Sequence, residues 1–505
     1  MSEVLTSYRQ ILRSSSIIGG ASVINILVGL LKFKVAAVLL GPAGVGLIGL
    51  FTNVMSTAVA LAGMGFGNAG TRQIAEAAAR DDAAAVAAAR RALFWGALAL
   101  AVIGAVLLWT LREPIARWVL DDVTHANDIG WLGIGVALSV ASASQGALLN
   151  GLRRIGDLAR VSVLGAVLST ALGIGALWVF GERGLLAFVI AAPLASFIVG
   201  HIFVARLPRV AAPPTPARDL ANQWRTLVRL GFAFMVAGLV VTVAQLFVRA
   251  LVQRELGMEA LGYFQASWTI SMIYIGFVLG AMSTDFYPRL TGVIHDHETA
   301  NRLVNEQTEV ALLLTGPLFL AMLPLAPWVI ELLYSPSFAP AADVLRWQIL
   351  GDVLKVTSWP LGFIILAAGD GKIFLMTETF GMCVFVAVSY ATLPWLAVEA
   401  TGIAFFALYL FYLPFVYWLA RRRTGFAWTS AVVRQFIALL IVSTLTACLA
   451  RWMPIAGLVF GAGAALAFGG FALIRLSRMT SMSAPLRRLE FVSREVMTRA
   501  GFRRV

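Results

Sequence analysis

Residues 345–363 read LRWQILGDVLKVTSWPLGF. The stretch is long and apolar enough to belong in lipid, yet it carries Asp352 and Lys355 near its middle. A charge at the centre of a bilayer costs roughly 2.5–3.5 kcal/mol on insertion scales, so intramembrane ionisable groups face protein or water. Gln348, Asp352, Lys355 and Trp359 follow one another at steps of four, three and four, which places them on one helical face. That face is polar and aromatic, and the others are apolar. Two readings are open: the face lines a cavity, or Asp352 and Lys355 form a local ion pair that neutralises itself and fixes helix packing.

The rest of the chain fits the same solvent. Of 505 residues, 60% are hydrophobic and 13% charged, and the mean hydropathy is +0.85. A soluble domain cannot hide so much apolar surface, so the chain reads as a polytopic, all-α membrane protein. No polar stretch exceeds about 30 residues, too short for an independent core. The N-terminus lacks the short apolar core and small-residue cleavage site of a signal peptide, and the first apolar run is expected to persist as a helix. Cys383 and Cys448 lie in apolar runs and point to no disulfide or metal site. His125, His201, His295 and His297 form no metal spacing, and no Walker-type loop, Ser-His-Asp pattern or paired catalytic carboxylates occur. No cofactor and no metal are expected, and the chain reads as a transporter, not an enzyme.

Apolar runs of spanning length fall near 15–40, 44–67, 91–111, 128–150, 157–180, 184–205, 226–254, 259–282, 307–334, 342–368, 371–394, 397–420, 430–450 and 454–476. With fourteen spans, about 29 of the 39 basic residues fall on one side and about 6 on the other, so the richer side, with both termini, is expected to be cytoplasmic. This distribution also accounts for the net charge of +13 without nucleic acid as a partner.

An internal repeat organises the runs. LLGPAGVGLIGLF around Gly41 matches ELGMEALGYFQAS around Gly257, and GERGLLAFVIA around Gly184 matches VEATGIAFFAL around Gly402, at offsets of about 216–218 residues. Several matches in register indicate a duplicated six-helix unit, whose copies share one orientation and are related by a pseudo-two-fold axis along the membrane normal. The expected divisions are 1–222 for the first lobe, 223–425 for the second, 426–477 for two additional membrane helices, and 478–505 for a basic tail. The tail reads as an amphipathic helix on the anionic cytoplasmic leaflet, or as a disordered basic segment.

The seventh run repeats the design of the tenth. Thr242, Gln245 and Arg249 share a face, and Arg249 lies about 12 Å inside Gly257. Its repeat-related position falls between Lys32 and Lys34, so each lobe brings a cation to a similar depth on its first helix. Two cations facing a shared cavity, joined by Lys355, would suit an anionic ligand. Lys32 and Lys34 cannot both face inward, since two residues turn a helix by about 200°. Ser22, Asn25, Gly29 and Lys32 form a small polar face, which favours Lys32. Gln265 with Thr269, and Asn53 with Thr57, are helical neighbours that either bind sugar hydroxyls or bond an adjacent helix. Asp352 is the candidate coupling carboxylate.

WQILGDVLKV, LGPAGVGLIGLF, ALAGMGFGNAGTRQIAE and GYFQASWTIS resemble the O-antigen translocase family, closest to its flippases for the enterobacterial common antigen lipid intermediate. That family sits in the multidrug/oligosaccharidyl-lipid/polysaccharide exporter superfamily, with the lipid II flippases. The resemblance covers roughly residues 10–420 and departs at the C-terminus, where close relatives often stop after twelve helices. It favours Lys34 over Lys32 as the inward lysine. It implies a bacterial inner-membrane flippase that moves an undecaprenyl-diphosphate-linked oligosaccharide, such as an O-antigen, common-antigen or exopolysaccharide repeat unit, to the periplasmic leaflet by alternating access. The implied partners are that glycan lipid, membrane lipids, and polysaccharide polymerase and chain-length machinery. A multidrug antiporter of the same superfamily is the second reading, though such carriers favour acidic cavities. A membrane-embedded glycan polymerase or ligase is the third, disfavoured by an outer loop too short to build an active site.

Overall fold

The computed structural model describes residues 2–80, 83–208 and 217–499, with side chains from residue 19 to 479 apart from 81–82, 209–222 and scattered positions between 230 and 285. All regular structure among the described residues is helical. The first helix, α1, runs Ser2–Ala62 but is broken at Gly41, where φ is 64° and ψ is −168°. Then come α2 (Phe66–Ala79), α3 (Ala83–Thr110), α4 (Arg112–Val119), α5 (Ala126–Gly151), α6 (Ile155–Phe180) and α7 (Leu185–Ala205). The second half opens with α8 (Ala217–Val293), broken at Gly257 with φ 85° and ψ 179°. It continues with α9 (His297–Leu333), α10 (Ala341–Ala367), α11 (Gly371–Leu396) and α12 (Glu399–Thr424), followed by α13 (Ser430–Trp452) and α14 (Pro454–Arg499).

Among the described residues eleven segments are long and apolar enough to cross a membrane, and three of them hold two spans each: Gly19–Ala62, Ile155–Ala205 and Met235–Gly276. The first and third are divided at Gly41 and Gly257; the second comprises α6 and α7. Fourteen spans result, as the apolar runs indicate, an even number that brings the end of α14 to the side where α1 begins. Two short helices escaped the sequence reading. In α2, Phe66, Ala69, Gly70, Ile74 and Ala77 are buried at helical spacing, and α4 lies in the connection between α3 and α5. The amphipathic tail falls beyond the described side chains; its backbone continues α14 to Arg499.

The repeat has a direct structural meaning. Gly41 and Gly257 occupy equivalent places and take up a positive φ that only glycine adopts cheaply, so each breaks a long helix into two. The second glycine of each motif serves the contact between lobes. A Cβ on Gly46 would stand 2.5 Å from the Met258 carbonyl oxygen and 2.9 Å from the Gly262 nitrogen, and a Cβ on Gly262 would strike the Pro42 carbonyl. The two turns therefore sit backbone to backbone on the side opposite the termini. Nearby, Gln253 donates to the Leu120 carbonyl at 2.9 Å, Arg254 donates to the Arg117 carbonyl at 2.6 Å, and Arg254 pairs with Asp121 at 3.6 Å. On the terminal side, Gly65 and Gly231 bring α8 against the end of α1, and the Trp224 indole donates to the Ala92 carbonyl at 2.9 Å.

The last two helices pack on α9 and α10 of the second lobe. On the terminal side, Glu309 of α9 accepts from Arg475 at 2.8 Å and from Gln435 at 3.1 Å. On the other side, Glu399 pairs with Arg451 and accepts from the Trp347 indole at 2.8 Å.

Candidate functional site

Two polar clusters occupy the membrane-spanning part of the second lobe, and one reaches across to the first. The interlobe cluster centres on Arg249 of α8, which is only 3% exposed. Its Nε and Nη2 donate to the Gln265 side-chain oxygen at 3.3 and 3.1 Å. Its Nη1 donates to the Gln245 carbonyl at 3.3 Å. The guanidinium lies over the Phe264 and Trp268 rings, 5.3 and 5.6 Å from their centroids. Gln265 in turn donates to Thr269 at 3.0 Å. From the first lobe, Asn53 donates to the Gln245 side chain at 3.5 Å, and Gly49 leaves room for Gln265, whose amide would otherwise meet a Cβ.

What this cluster lacks is an anion. Among the described residues no carboxylate lies within 4.0 Å of Arg249; amides, a carbonyl and two π-faces hold it. A buried cation with only neutral partners keeps a strong attraction for an anion brought beside it. The Asn53 oxygen is buried and unpartnered in the same place.

The second cluster lies within the second lobe around α10. Gln348 and Asp352 are 0% exposed and Lys355 9%. Asp352 does not pair with Lys355. Its carboxylate accepts from Ser271 at 2.8 Å and from Tyr274 at 2.5 Å. Lys355 lies against the Met272 sulfur at 3.8 Å and over the Phe405 and Tyr409 rings at 5.6 Å. Asp352 and Glu378 of α11 both attract it electrostatically, and Glu378 accepts from the Tyr412 hydroxyl at 3.0 Å. The Gln348 amide has no partner on either its nitrogen or its oxygen. Neither sequence reading of the tenth helix describes this arrangement. Asp352 and Lys355 are not a self-contained pair, because partners on α8, α11 and α12 divide them. The face is packed inside the lobe and is not open.

An aromatic wall joins the clusters. Trp268 and Phe405 meet edge to face at 5.7 Å, with Arg249 over the first and Lys355 over the second. The first-lobe cations do not join it. Lys32 rests over the Phe188 ring at 4.5 Å, with its stem against Gly173, inside the first lobe. Lys34 donates to the Glu331 carbonyl at 3.0 Å, across the lobe boundary and on the side away from the termini. Asn25 donates to Ser162 at 2.6 Å, also within the first lobe. The structure thus brings together Asn53, Gln245, Arg249 and Gln265, gathers Gln348, Asp352 and Lys355 separately, and leaves Asn25, Lys32 and Lys34 apart. Glu378, Tyr274 and Ser271 were missed in the sequence, although Glu378 stands as a lone acid in the eleventh apolar run. Among the described residues no group of three or more metal-ligating side chains occurs.

A family model described as polysaccharide biosynthesis protein matches residues 35–343. The lipid III flippase of Escherichia coli (strain K12) is 25% identical over 414 residues, covering 80% of this chain and 97% of that protein, and the lipid III flippase of Shigella flexneri gives the same values. Among solved structures, a lipid II flippase in an inward closed conformation superposes with a TM-score of 0.69 at 11% identity, over 90% of this chain and 98% of that one. An inward-facing multidrug resistance transporter gives 0.64 at 19% identity, over 81% and 96%. The paired six-helix lobes, the glycine-broken helices and the family match lead to one assignment: the chain belongs to the polysaccharide biosynthesis protein family and has the fold of the multidrug/oligosaccharidyl-lipid/polysaccharide exporter superfamily.

Proposed function

We propose that the protein is a flippase for an undecaprenyl-diphosphate-linked oligosaccharide, moving it from the cytoplasmic to the periplasmic leaflet of the bacterial inner membrane. The observation that carries the proposal is Arg249, a buried cation at the lobe boundary with no acidic partner among the described residues. A diphosphate is the complementary group, and guanidinium binds phosphate oxygens through a planar fork of donors. Asn53, Gln245 and Gln265 offer amide groups to sugar hydroxyls beside it. The relatives named lipid III flippase support the substrate class. The excess of arginine on the terminal side supports cytoplasmic termini. Rocking of the lobes about the Gly46–Gly262 contact would alternate access, and Asp352 with Glu378 would carry the coupling proton or cation. The polysaccharide polymerase and chain-length machinery would act on the exported unit.

The second reading is a multidrug antiporter, favoured by the acidic balance of the Asp352–Lys355–Glu378 cluster and by the superposed multidrug transporter. Deleting the gene separates the two. The flippase reading expects a lipid-linked glycan to accumulate on the cytoplasmic face, with unchanged drug susceptibility. Drug hypersensitivity without glycan accumulation would overturn it.

A further inference from the structure

A pocket of about 500 Å³ opens between α13 and α14 on the terminal side, away from both polar clusters. Ala431, Arg434 and Gln435 of α13 line one wall, and Phe471, Ile474, Arg475 and Arg478 of α14 line the other. Both sets recur at helical spacing, so each presents one face. Phe471 and Ile474 lie deeper along α14, and Arg475 and Arg478 come one turn later, near the end of its apolar segment at Met479. Apolar surface towards the membrane interior and guanidinium groups at its edge match the polarity of a phospholipid.

Three guanidiniums, of Arg434, Arg475 and Arg478, line the pocket, and Arg475 meets the Glu309 carboxylate at 2.8 Å. Gln435 adds a more specific demand. It is 7% exposed, and its Nε2 donates to Glu309 at 3.1 Å. A carboxylate only accepts, so this bond fixes which end of the amide is oxygen. That oxygen is buried and has no partner. It calls for a donor from outside the protein, and a buried acceptor left without one costs free energy.

We propose that this pocket binds an anionic glycerophospholipid whose headgroup carries a hydroxyl, of the phosphatidylglycerol class. Its phosphate meets Arg434 and Arg478, its hydroxyl donates to Gln435, and its chains run along Phe471 and Ile474. Basic pockets between membrane helices hold lipid headgroups in this way. The site lies on the two helices outside the repeat, so it stands whatever the lobes transport.

Native mass spectrometry of the full-length detergent-solubilised protein, with equal dioleoyl phosphatidylglycerol, phosphatidylcholine and phosphatidylmethanol, tests it. The wild type retains phosphatidylglycerol in preference to both others. Arg434→Gln with Arg478→Gln lowers that retention about thirty-fold, or about 2 kcal/mol for two arginines near a lipid surface. Gln435→Leu abolishes the preference over phosphatidylmethanol, which has the charge without the hydroxyl, and keeps the preference over phosphatidylcholine. Equal retention of all three lipids by the wild type, or wild-type retention by the double arginine variant, overturns the proposal. Displacement of the lipid by inorganic phosphate overturns it too, since that marks a site for free anions.

Discussion

Gly46→Ala is the sharpest test of how the lobes meet. The new Cβ would stand 2.5 Å from the Met258 carbonyl oxygen, where ordinary contact begins at 3.4 Å, so about 0.9 Å must be found. Its neighbours there are backbone atoms of the other lobe, which no rotamer change can move. The strain is relieved most simply by separating the lobes on the side away from the termini. Overpacking of this kind costs about 1–3 kcal/mol. At about 2 kcal/mol, the ratio of this conformer to one opened on that side falls about thirty-fold. The assay is a distance measurement between spin labels at Val123→Cys and Glu259→Cys, both exposed and on opposite lobes, with Cys383 and Cys448 replaced by serine. The wild type should give a short distance, and Gly46→Ala a longer component together with reduced glycan export. Gly29→Ala is the control, because a Cβ there meets nothing within 4 Å. An unchanged distance distribution and full export in the Gly46→Ala protein would refute the reasoning.

Arg249→Ala should abolish export in a protein that still inserts, while Arg249→Lys keeps part of the activity, since it retains the charge without the fork that reaches both Gln265 and Gln245; full complementation of a deletion strain by the alanine variant would refute this. Asp352→Asn with Lys355→Gln should lower the unfolding midpoint by the equivalent of about 1–3 kcal/mol, because the half-buried Glu378 carboxylate is left without the Lys355 cation. Adding Glu378→Gln should restore the midpoint but not export, and a wild-type midpoint in the double variant would contradict the cluster described here.

The fold was legible because its two governing constraints are written locally. Twenty-odd apolar residues make a span, and a glycine that must take a positive φ marks each break, so Gly41 and Gly257 showed the repeat before any coordinates did. The candidate site was legible only in part. Arg249, Gln245, Gln265 and Asn53 converge because each polar face lies at the lobe boundary. Periodicity on α10 joined Gln348, Asp352 and Lys355 on one face, but it could not show that Ser271 and Tyr274 would bond the carboxylate, or that Glu378 would join Asp352 in attracting the ammonium. Glu378 has no polar neighbour at helical spacing on its own helix; its partners come from α10 and α12, and pattern within one helix does not reveal them. Which of Lys32 and Lys34 turns towards the lobe boundary was hidden for a different reason. A lysine stem is long enough to take its ammonium to whatever lies within reach, here the Phe188 ring and the Glu331 carbonyl.

The placement of α13 and α14 bears on how such a molecule would move. Each end of the pair is tied to the second lobe: Glu309 holds Arg475 and Gln435 on the terminal side, and Glu399 holds Arg451 on the other. Asn305 of α9 adds bonds to the turn before α13, donating to the Ala427 carbonyl at 3.0 Å and accepting from the Thr429 amide at 2.8 Å. These are charge-assisted or doubly made contacts, half-buried or better, and they join helices of one lobe. The contacts between lobes are of another kind: glycine backbones in apposition, single bonds to the Leu120, Arg117 and Glu331 carbonyls, one long amide bond from Asn53 to Gln245, and the exposed Arg254–Asp121 pair. Contacts of the second kind can be broken and remade by a small rotation, and contacts of the first kind cannot without exposing a buried carboxylate. A rocking motion would therefore carry α13 and α14 with the second lobe as one body, and hold the arginine pocket between them in constant geometry while the interlobe cluster around Arg249 opens and closes.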